Sequence, residues 1–430
     1  MAIEGQKEVK CIVGGAGYRE IVGRLLYLRK GESIMAYNFD ETIERRGTAS
    51  AKWDAVKELF GSEDVLPLWV ADMDFRVPEE VVEAIKETAD HGIFGYTLRS
   101  DEYKQAVKDW MKNRHGWEID GEWITQTPGV VNALNMAVLA YTEPGDSVIV
   151  QPPVYYPFMK AINNHGRQVV NNPLIDRGGR YEMDFDDLEA KIEDSGAKLL
   201  FLCNPQNPSG RVWTPDELKQ LGDICVRHGV TVVSDEIHGD LILGDQPHTP
   251  FAGISDEFAE ISVTCTAPSK TFNLAGLHTS NIIIPDEGRR KAFNVQLDKF
   301  AVGGSSPIGA AATIAAYRHG EEWLENLLDY VRDNYAFLTE FTEANIPELK
   351  VYPLESTYLA WVDARALGLD NKALETFMAK EAKVGLNQGH IFGPGGEGFV
   401  RVNLACTRKT LEEALNRIKE AVKKHQETTA

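Results

Sequence analysis

From about Ser147 to Asn281 the chain alternates short apolar runs with stretches whose apolar residues recur at helical spacing. The runs read DSVIVQ, RQVV, KLLFLCN, VTVVSD, ISVTCT and SNIII. Several are continuous in Val, Ile and Leu, the pattern of strands covered on both faces. Between them, TPDELKQLGDICVRHG predicts a helix with Thr214 as N-cap, Pro215 in the first helical position, Glu217 closing a capping box and Gly229 as the stop. A second helix is predicted from Gly129 to about Tyr141. Beyond Ser305 the pattern turns mostly helical, then returns to the short strands LKVYP, TYLAWVD and FVRVNLA. A closing amphipathic helix carries Leu411, Leu415, Ile418 and Val422 on one face. The alternation predicts an α/β fold: a doubly wound, mostly parallel sheet followed by an α+β tail.

Composition narrows the function classes. A chain of 430 residues has room for two or three domains and a large core. The formal net charge of −20 argues against a nucleic acid or an anionic membrane surface as partner, since either calls for a basic face. No stretch approaches the roughly 18 consecutive apolar residues of a membrane helix. The five cysteines are scattered and form no C-x-x-C pair, so neither a disulfide framework nor a zinc site is expected. Cys203 and Cys265, inside strand-like runs, read as small buried hydrophobes. These features suit a reduced, cytoplasmic enzyme. Residues 1–34 contain a GGAG patch but neither G-x-G-x-x-G nor G-K-[ST], and no secretion-signal pattern. They read as an N-terminal extension, a candidate for disorder, with Met35 as a natural start.

In open α/β sheets, ligands bind outside the carboxyl ends of the strands. DSVIVQ leads there to Tyr155 and Tyr156, KLLFLC to Asn204 and Asn207, VTVVS to Asp235 and His238, and ISVTC to Ser269 and Lys270. The helix at Gly129 offers free N–H groups at its start, a natural phosphate site. Each residue also has an ordinary reading: Lys270 as an exposed lysine at a strand mouth, Asp235 as a helix cap, Tyr155 as core or rim, Asn207 as a turn former. Together, an aromatic ring, an amide, a carboxylate, a lysine and a phosphate cradle are what pyridoxal phosphate needs.

The segments NPQNPSG, SDEIHGDL, APSKTFNLAGL, STYLAWVD and GEGFVRVNLAC resemble the aspartate-aminotransferase superfamily of pyridoxal-phosphate enzymes, class I/II. More narrowly they resemble its bacterial carbon–sulfur β-lyase branch, the cystathionine β-lyases related to the maltose-regulator lyase. The likeness runs from about residue 36 to 424. It implies fold type I, with a large cofactor domain at 83–319 and a small domain from 35–82 and 320–430. It implies pyridoxal 5′-phosphate as cofactor and three catalytic residues, Lys270, Asp235 and Tyr96. Lys270 would hold the cofactor covalently and then move the substrate's Cα proton. Asp235 would keep the ring nitrogen protonated, Asn207 and His238 would bond the phenolic oxygen, and Tyr155 would stack on the ring. Gly129, Val130 and Val131 would offer backbone N–H groups to the phosphate, and Ser269 a hydroxyl. Arg401 would clamp the substrate α-carboxylate, and Ala71 would lie beside the substrate. Tyr96, in FGYTL, matches a tyrosine lent across a subunit interface, which implies a homodimer with its active site at that interface. The chain departs from the superfamily pattern at Ala267 and His278, where a serine and an arginine commonly hold the phosphate.

Withdrawing the Cα proton of a bound amino acid leaves the outcome open. Loss of a thiolate from Cβ yields pyruvate and ammonia, whereas return of a proton on the cofactor side yields transamination. The same residues serve both, and the branch resemblance implies elimination from cystathionine or other cysteine S-conjugates. An aminotransferase is the alternative; one for dicarboxylic substrates would want a second arginine. A regulatory protein on a retained fold is a third reading, weighed against by the intact Lys270, Asp235 and Arg401. A nicotinamide dehydrogenase, the other reading for an α/β chain, lacks its mark: no G-x-G-x-x-G follows a strand of the alternating region.

Overall fold

Seven strands form the central sheet: β1 (Ile124–Thr127), β2 (Ser147–Val150), β3 (Gln168–Asn171), β4 (Leu199–Cys203), β5 (Thr231–Asp235), β6 (Ser262–Thr266) and β7 (Ser280–Ile283). Their order is β1-β7-β6-β5-β4-β2-β3. All neighbours are parallel except around β7, which runs antiparallel to both β1 and β6. The computed structural model that shows this describes residues 37–304 and 306–429. The expectations for residues 1–34, and Cys11 and Met35, lie outside the described residues.

Strands β4, β5 and β6 are buried at every position, which is why their sequences are unbroken apolar runs. The edge strand β1 carries no such signature. Its sequence ITQT has one apolar residue, yet all four residues are buried. Side-chain bonds make this possible: Thr125 Oγ1 donates to Asn294 Oδ1 at 3.0 Å, and Thr127 Oγ1 meets Ser280 Oγ at 2.7 Å.

The helices used below are α1 (Asp101–His115), α2 (Val130–Tyr141), α3 (Pro215–His228), α4 (Pro268–Thr271), α5 (Pro307–His319), α6 (Glu321–Asn345) and α7 (Arg408–Thr429). Helix α3 starts as its sequence predicts. Thr214 Oγ1 accepts from the Glu217 N–H at 3.2 Å, Glu217 Oε2 accepts from the Thr214 N–H at 2.8 Å, and Gly229 closes the helix in the left-handed conformation.

A second, antiparallel sheet has the order β8-β9-β11-β10, from β8 (Lys350–Val351), β9 (Leu359–Asp363), β10 (Asn387–Gln388) and β11 (Phe399–Asn403). Leu411, Leu415, Ile418 and Val422 of α7 are all buried in the core cluster that includes this sheet's Leu359, Val400 and Val402. The first described stretch joins this half of the chain. Phe39 and Phe75 pack edge-on against one another, Phe39 also meets Trp323 and Tyr330 of α6, and Leu66–Pro67 pairs in parallel with Val384–Gly385. Cys203, Cys225, Cys265 and Cys406 are free and buried, as expected for Cys203 and Cys265 from their apolar runs. No helix among the described residues is long and apolar enough to cross a membrane.

Candidate active site

The parallel register sets the strand ends side by side: Cys203 lies opposite Asp235, and Asp235 opposite Cys265. A cavity of about 410 Å³ opens at this edge. Its wall contains Tyr155, Asn207, Asp235, His238, Ser269 and Lys270, with Gly129, Val130 and Val131 on one side and Ala71 on another. Of the twelve candidate site residues singled out in the sequence, ten line this cavity, and an eleventh, Arg401, reaches its wall through Asn207. Tyr96 is not brought there. It lies fully exposed beside Ile93, Phe94 and Leu98.

Local chemistry explains how each group arrives. Gly129 adopts φ 155°, ψ 161°, a region open only to glycine, and this turns the chain from β1 into α2. The Asn132 and Ala133 N–H groups turn back to the Gly129 carbonyl at 3.1 and 3.2 Å, which leaves those of Val130 and Val131, ahead of them, without an acceptor within the helix at the cavity wall. Lys270 lies in α4, a single turn that begins two residues after β6. His278, a departure from the superfamily pattern, does line the cavity, whereas Ala267 is buried at the β6–α4 junction.

Burial pushes the Asp235 carboxyl up to about 7; the Ile237 N–H, donating to Oδ1 at 3.3 Å, opposes the rise only in part. Burial, with the nearby Arg401 cation, pushes the Lys270 ammonium down to about 8. Its Nζ donates to the Ala71 carbonyl at 2.7 Å. Burial holds His238 neutral, well below the ordinary imidazole range, and its Nδ1 has no protein partner.

Arg401 sits in the middle of β11 and is buried. Nη1 donates to Asn207 Oδ1 at 2.9 Å; Nη2 donates to Asn387 Oδ1 at 2.6 Å and to the Trp69 carbonyl at 3.2 Å. Its guanidinium lies over the Phe392 ring, and Nε is unpartnered. Burial lowers its pKa to about 10, so it stays charged at neutral pH. A buried cation held by neutral oxygens keeps its attraction for an incoming anion. The Arg401 bond also orients Asn207, because with Oδ1 engaged the remaining donor is Nδ2. From behind, the Cys203 thiol donates to the Pro205 carbonyl and accepts from the Asn207 N–H, both at 3.3 Å, so this cysteine is a support as well as a buried hydrophobe.

Apart from Ala71, sequence reading missed the strap Leu68–Phe75 that closes one side of the cavity. Asn403 Nδ2 donates to the carbonyls of Val70 and Asp72 at 2.5 and 2.7 Å. Tyr358 Oη joins Lys270 on the Ala71 carbonyl at 2.9 Å, and Asn273, at φ 57°, ties Met73 and Phe75. The strap's acidic side chains are gathered by two cations. Fully buried Lys52 meets Asp74 at 2.7 Å, and Arg45 meets Asp72 at 2.6 Å and Asp74 at 2.7 Å. Nothing in the local pattern of KWD or WVADMDF signals these pairings.

The residues fit pyridoxal 5′-phosphate on their own chemistry. A protonated ring nitrogen would supply the cation that buried Asp235 lacks, and a phenolic oxygen would occupy the unpartnered His238. The first turn of α2 with Ser269 suits a phosphate. A stability test follows. The folded-state pKa of Asp235 is raised, so between pH 4 and 7 the folded state binds more protons than the unfolded one and stability falls as pH rises. The Tm of the cofactor-free protein is expected to drop across that window by more than the Tm of cofactor-free Asp235→Asn. Parallel melting curves for the two would refute the assignment of a raised pKa.

The fold and this lysine-centred cavity define a fold type I enzyme scaffold. Residues 63–418 match the family described as aminotransferase class I and II. The chain is 52% identical over 385 residues to cystathionine beta-lyase PatB of Bacillus subtilis (strain 168), across 90% of this chain and 100% of that protein. It resembles the crystal structure of cystalysin from Treponema denticola, which contains a pyridoxal 5′-phosphate cofactor, with TM-score 0.88 and 41% identity over 91% of this chain and 100% of that one. It also resembles the PLP-bound C–S lyase from Staphylococcus hominis, with TM-score 0.84 and 37% identity over 90% of this chain and 98% of that one. The chain belongs to the aminotransferase class I and II family, a pyridoxal-phosphate-dependent family.

Proposed function

We propose that this chain is a pyridoxal-phosphate-dependent carbon–sulfur β-lyase that cleaves cystathionine or other cysteine S-conjugates to pyruvate, ammonia and a thiol. The observation that carries the reading is the convergence of Lys270, Asp235, His238 and the Asn207–Arg401 pair on one cavity. The lyase names carried by PatB and by the Staphylococcus hominis structure support elimination over amino-group transfer. The two sheets are read as the centres of the large and small domains, with residues of both bordering the cavity.

When bound, the cofactor supplies an electron sink for the pair left at the substrate's Cα. The chain's own residues do the rest. Asp235, ionised against a ring N–H, holds that nitrogen protonated. Asn207 Nδ2 and neutral His238 hold the phenolic oxygen, Tyr155 covers the ring face, and the first turn of α2 with Ser269 holds the phosphate. Arg401 takes the substrate α-carboxylate and so fixes which bond at Cα faces Lys270. Lys270 Nζ, with a pKa near 8, is poised to remove that proton at neutral pH. The thiolate then leaves from Cβ, and water completes the products: L-cystathionine and water give pyruvate, ammonia and L-homocysteine. The exposed apolar segment around Tyr96 supports a homodimer in which Tyr96 reaches the other subunit's cavity.

Incubating the holoenzyme with L-cystathionine, and no keto acid, is expected to release pyruvate and thiol in equal, sustained amounts. Absence of both, with amino-group transfer once a keto acid is added, would make the chain an aminotransferase. Absence of either activity in a protein that binds cofactor would favour a regulatory role.

A further inference from the structure

Lys270 lies on a helix that cannot hold itself in place. Helix α4 is four residues long, and its N-cap, Ala267, contributes no side-chain bond. One isolated turn has no stability of its own, because the cost of nucleation exceeds what a single turn returns. The position of Lys270 therefore depends on what fastens its neighbours. The next residue, Thr271, is fully buried and donates from Oγ1 to Asp240 Oδ2 at 2.6 Å.

Asp240 is itself held on its other oxygen. Oδ1 accepts from Trp110 Nε1 at 3.0 Å and meets His115 Nε2 at 2.8 Å, both from α1. The Trp110 ring stacks on Tyr317 of α5 at 5.0 Å, which anchors this end of the chain of contacts in the core. Burial pushes the Asp240 carboxyl up, but the bonds from His115 and Thr271 outweigh it and hold the group below the usual carboxylate range. Asp240 also lies two residues beyond His238, so one carboxylate stands behind both the lysine turn and the turn that delivers His238 to the cavity.

We propose that Thr271 and Asp240 are positioning residues for Lys270, transmitting the rigidity of α1 and α5 to the lysine turn. The proposal rests on the reading of Lys270 as the cofactor lysine. A purely structural role would predict lost stability alone. A positioning role predicts in addition that Lys270 meets its partner in the wrong place, and even a displacement of about 1 Å can cost on the order of 100-fold in rate.

The test compares wild type with Thr271→Val, which removes the hydroxyl at nearly constant volume, and Thr271→Ser, which keeps it. Ile192→Ala, in a core cluster that contains no cavity residue, serves as a destabilised control. Cofactor-free protein is mixed with pyridoxal phosphate and the rise of the bound cofactor's visible absorbance is timed; kcat, KM and Tm are measured on the loaded enzymes. Thr271→Val is expected to slow the absorbance rise about 10-fold and lower kcat about 10-fold with KM nearly unchanged. Thr271→Ser should restore both rates, and Ile192→Ala should lower Tm while keeping both. Should Thr271→Val not fold, Thr271→Ala takes its place with the same expectation. Wild-type rates in the hydroxyl-less variant, whatever its Tm, would overturn the proposal, as would slow rates in Thr271→Ser. If wild type shows no absorbance rise that Lys270→Ala abolishes, the cofactor-lysine reading itself fails.

Discussion

Replacing Lys270 by Ala is expected to lower kcat for L-cystathionine by at least about 10⁴-fold while leaving a folded protein. Two functions disappear at once, the covalent hold on the cofactor and the group that moves the Cα proton. A positioned acid–base group alone is worth about 10²–10⁴-fold. Stability should not suffer. The folded-state pKa of Lys270 is lowered to about 8, so the folded state disfavours its charge, and that penalty is present in full below pH 8 and fades as pH rises toward 10.5. The cofactor-free variant is therefore expected to melt no lower than wild type at pH 7. Pyruvate release, the visible absorbance of bound cofactor and a melting curve check the three parts together. Turnover within 10-fold of wild type would remove Lys270 from the centre of the chemistry.

Arg401→Lys is expected to cost about 10²–10³-fold in kcat/KM, most of it in KM. An ammonium keeps the charge but loses the planar fork that matches a carboxylate, and leaving a buried charged partner poorly paired costs several kcal/mol. The variant should also disturb the cofactor, because Asn207 Oδ1 loses its 2.9 Å bond from Nη1. The decisive comparison uses a substrate with and without its α-carboxylate. Wild type should discriminate strongly between cystathionine and its decarboxylated analogue, and the variant should not. Undiminished discrimination in Arg401→Lys would place the carboxylate elsewhere.

These two residues mark the border between what is legible in the chain and what is not. Lys270 and Asp235 could be named because each follows an apolar run that is fully buried, and strands buried on both faces announce themselves as unbroken Val, Ile and Leu. The capping box at Thr214 was legible for the same local reason: its two partners are three residues apart. Arg401 was placed by the resemblance of its motif, but its hold on Asn207, 194 residues away in the chain, has no local signature. Neither has Lys52 on Asp74, Asn403 on the strap, Thr271 on Asp240, nor the polar edge strand ITQT.

The sequence by itself determined the strands and helices, the parallel core and the residues delivered to the strand ends, because periodicity and caps report burial within one element. Only the tertiary structure decided which oxygen each buried cation and amide would meet, how far Asp235 and Lys270 are pushed from their ordinary pKa values, and that Tyr96 stays out of its own chain's cavity. Those are properties of packing between distant segments, where desolvation and hydrogen-bond geometry depend on every neighbour at once.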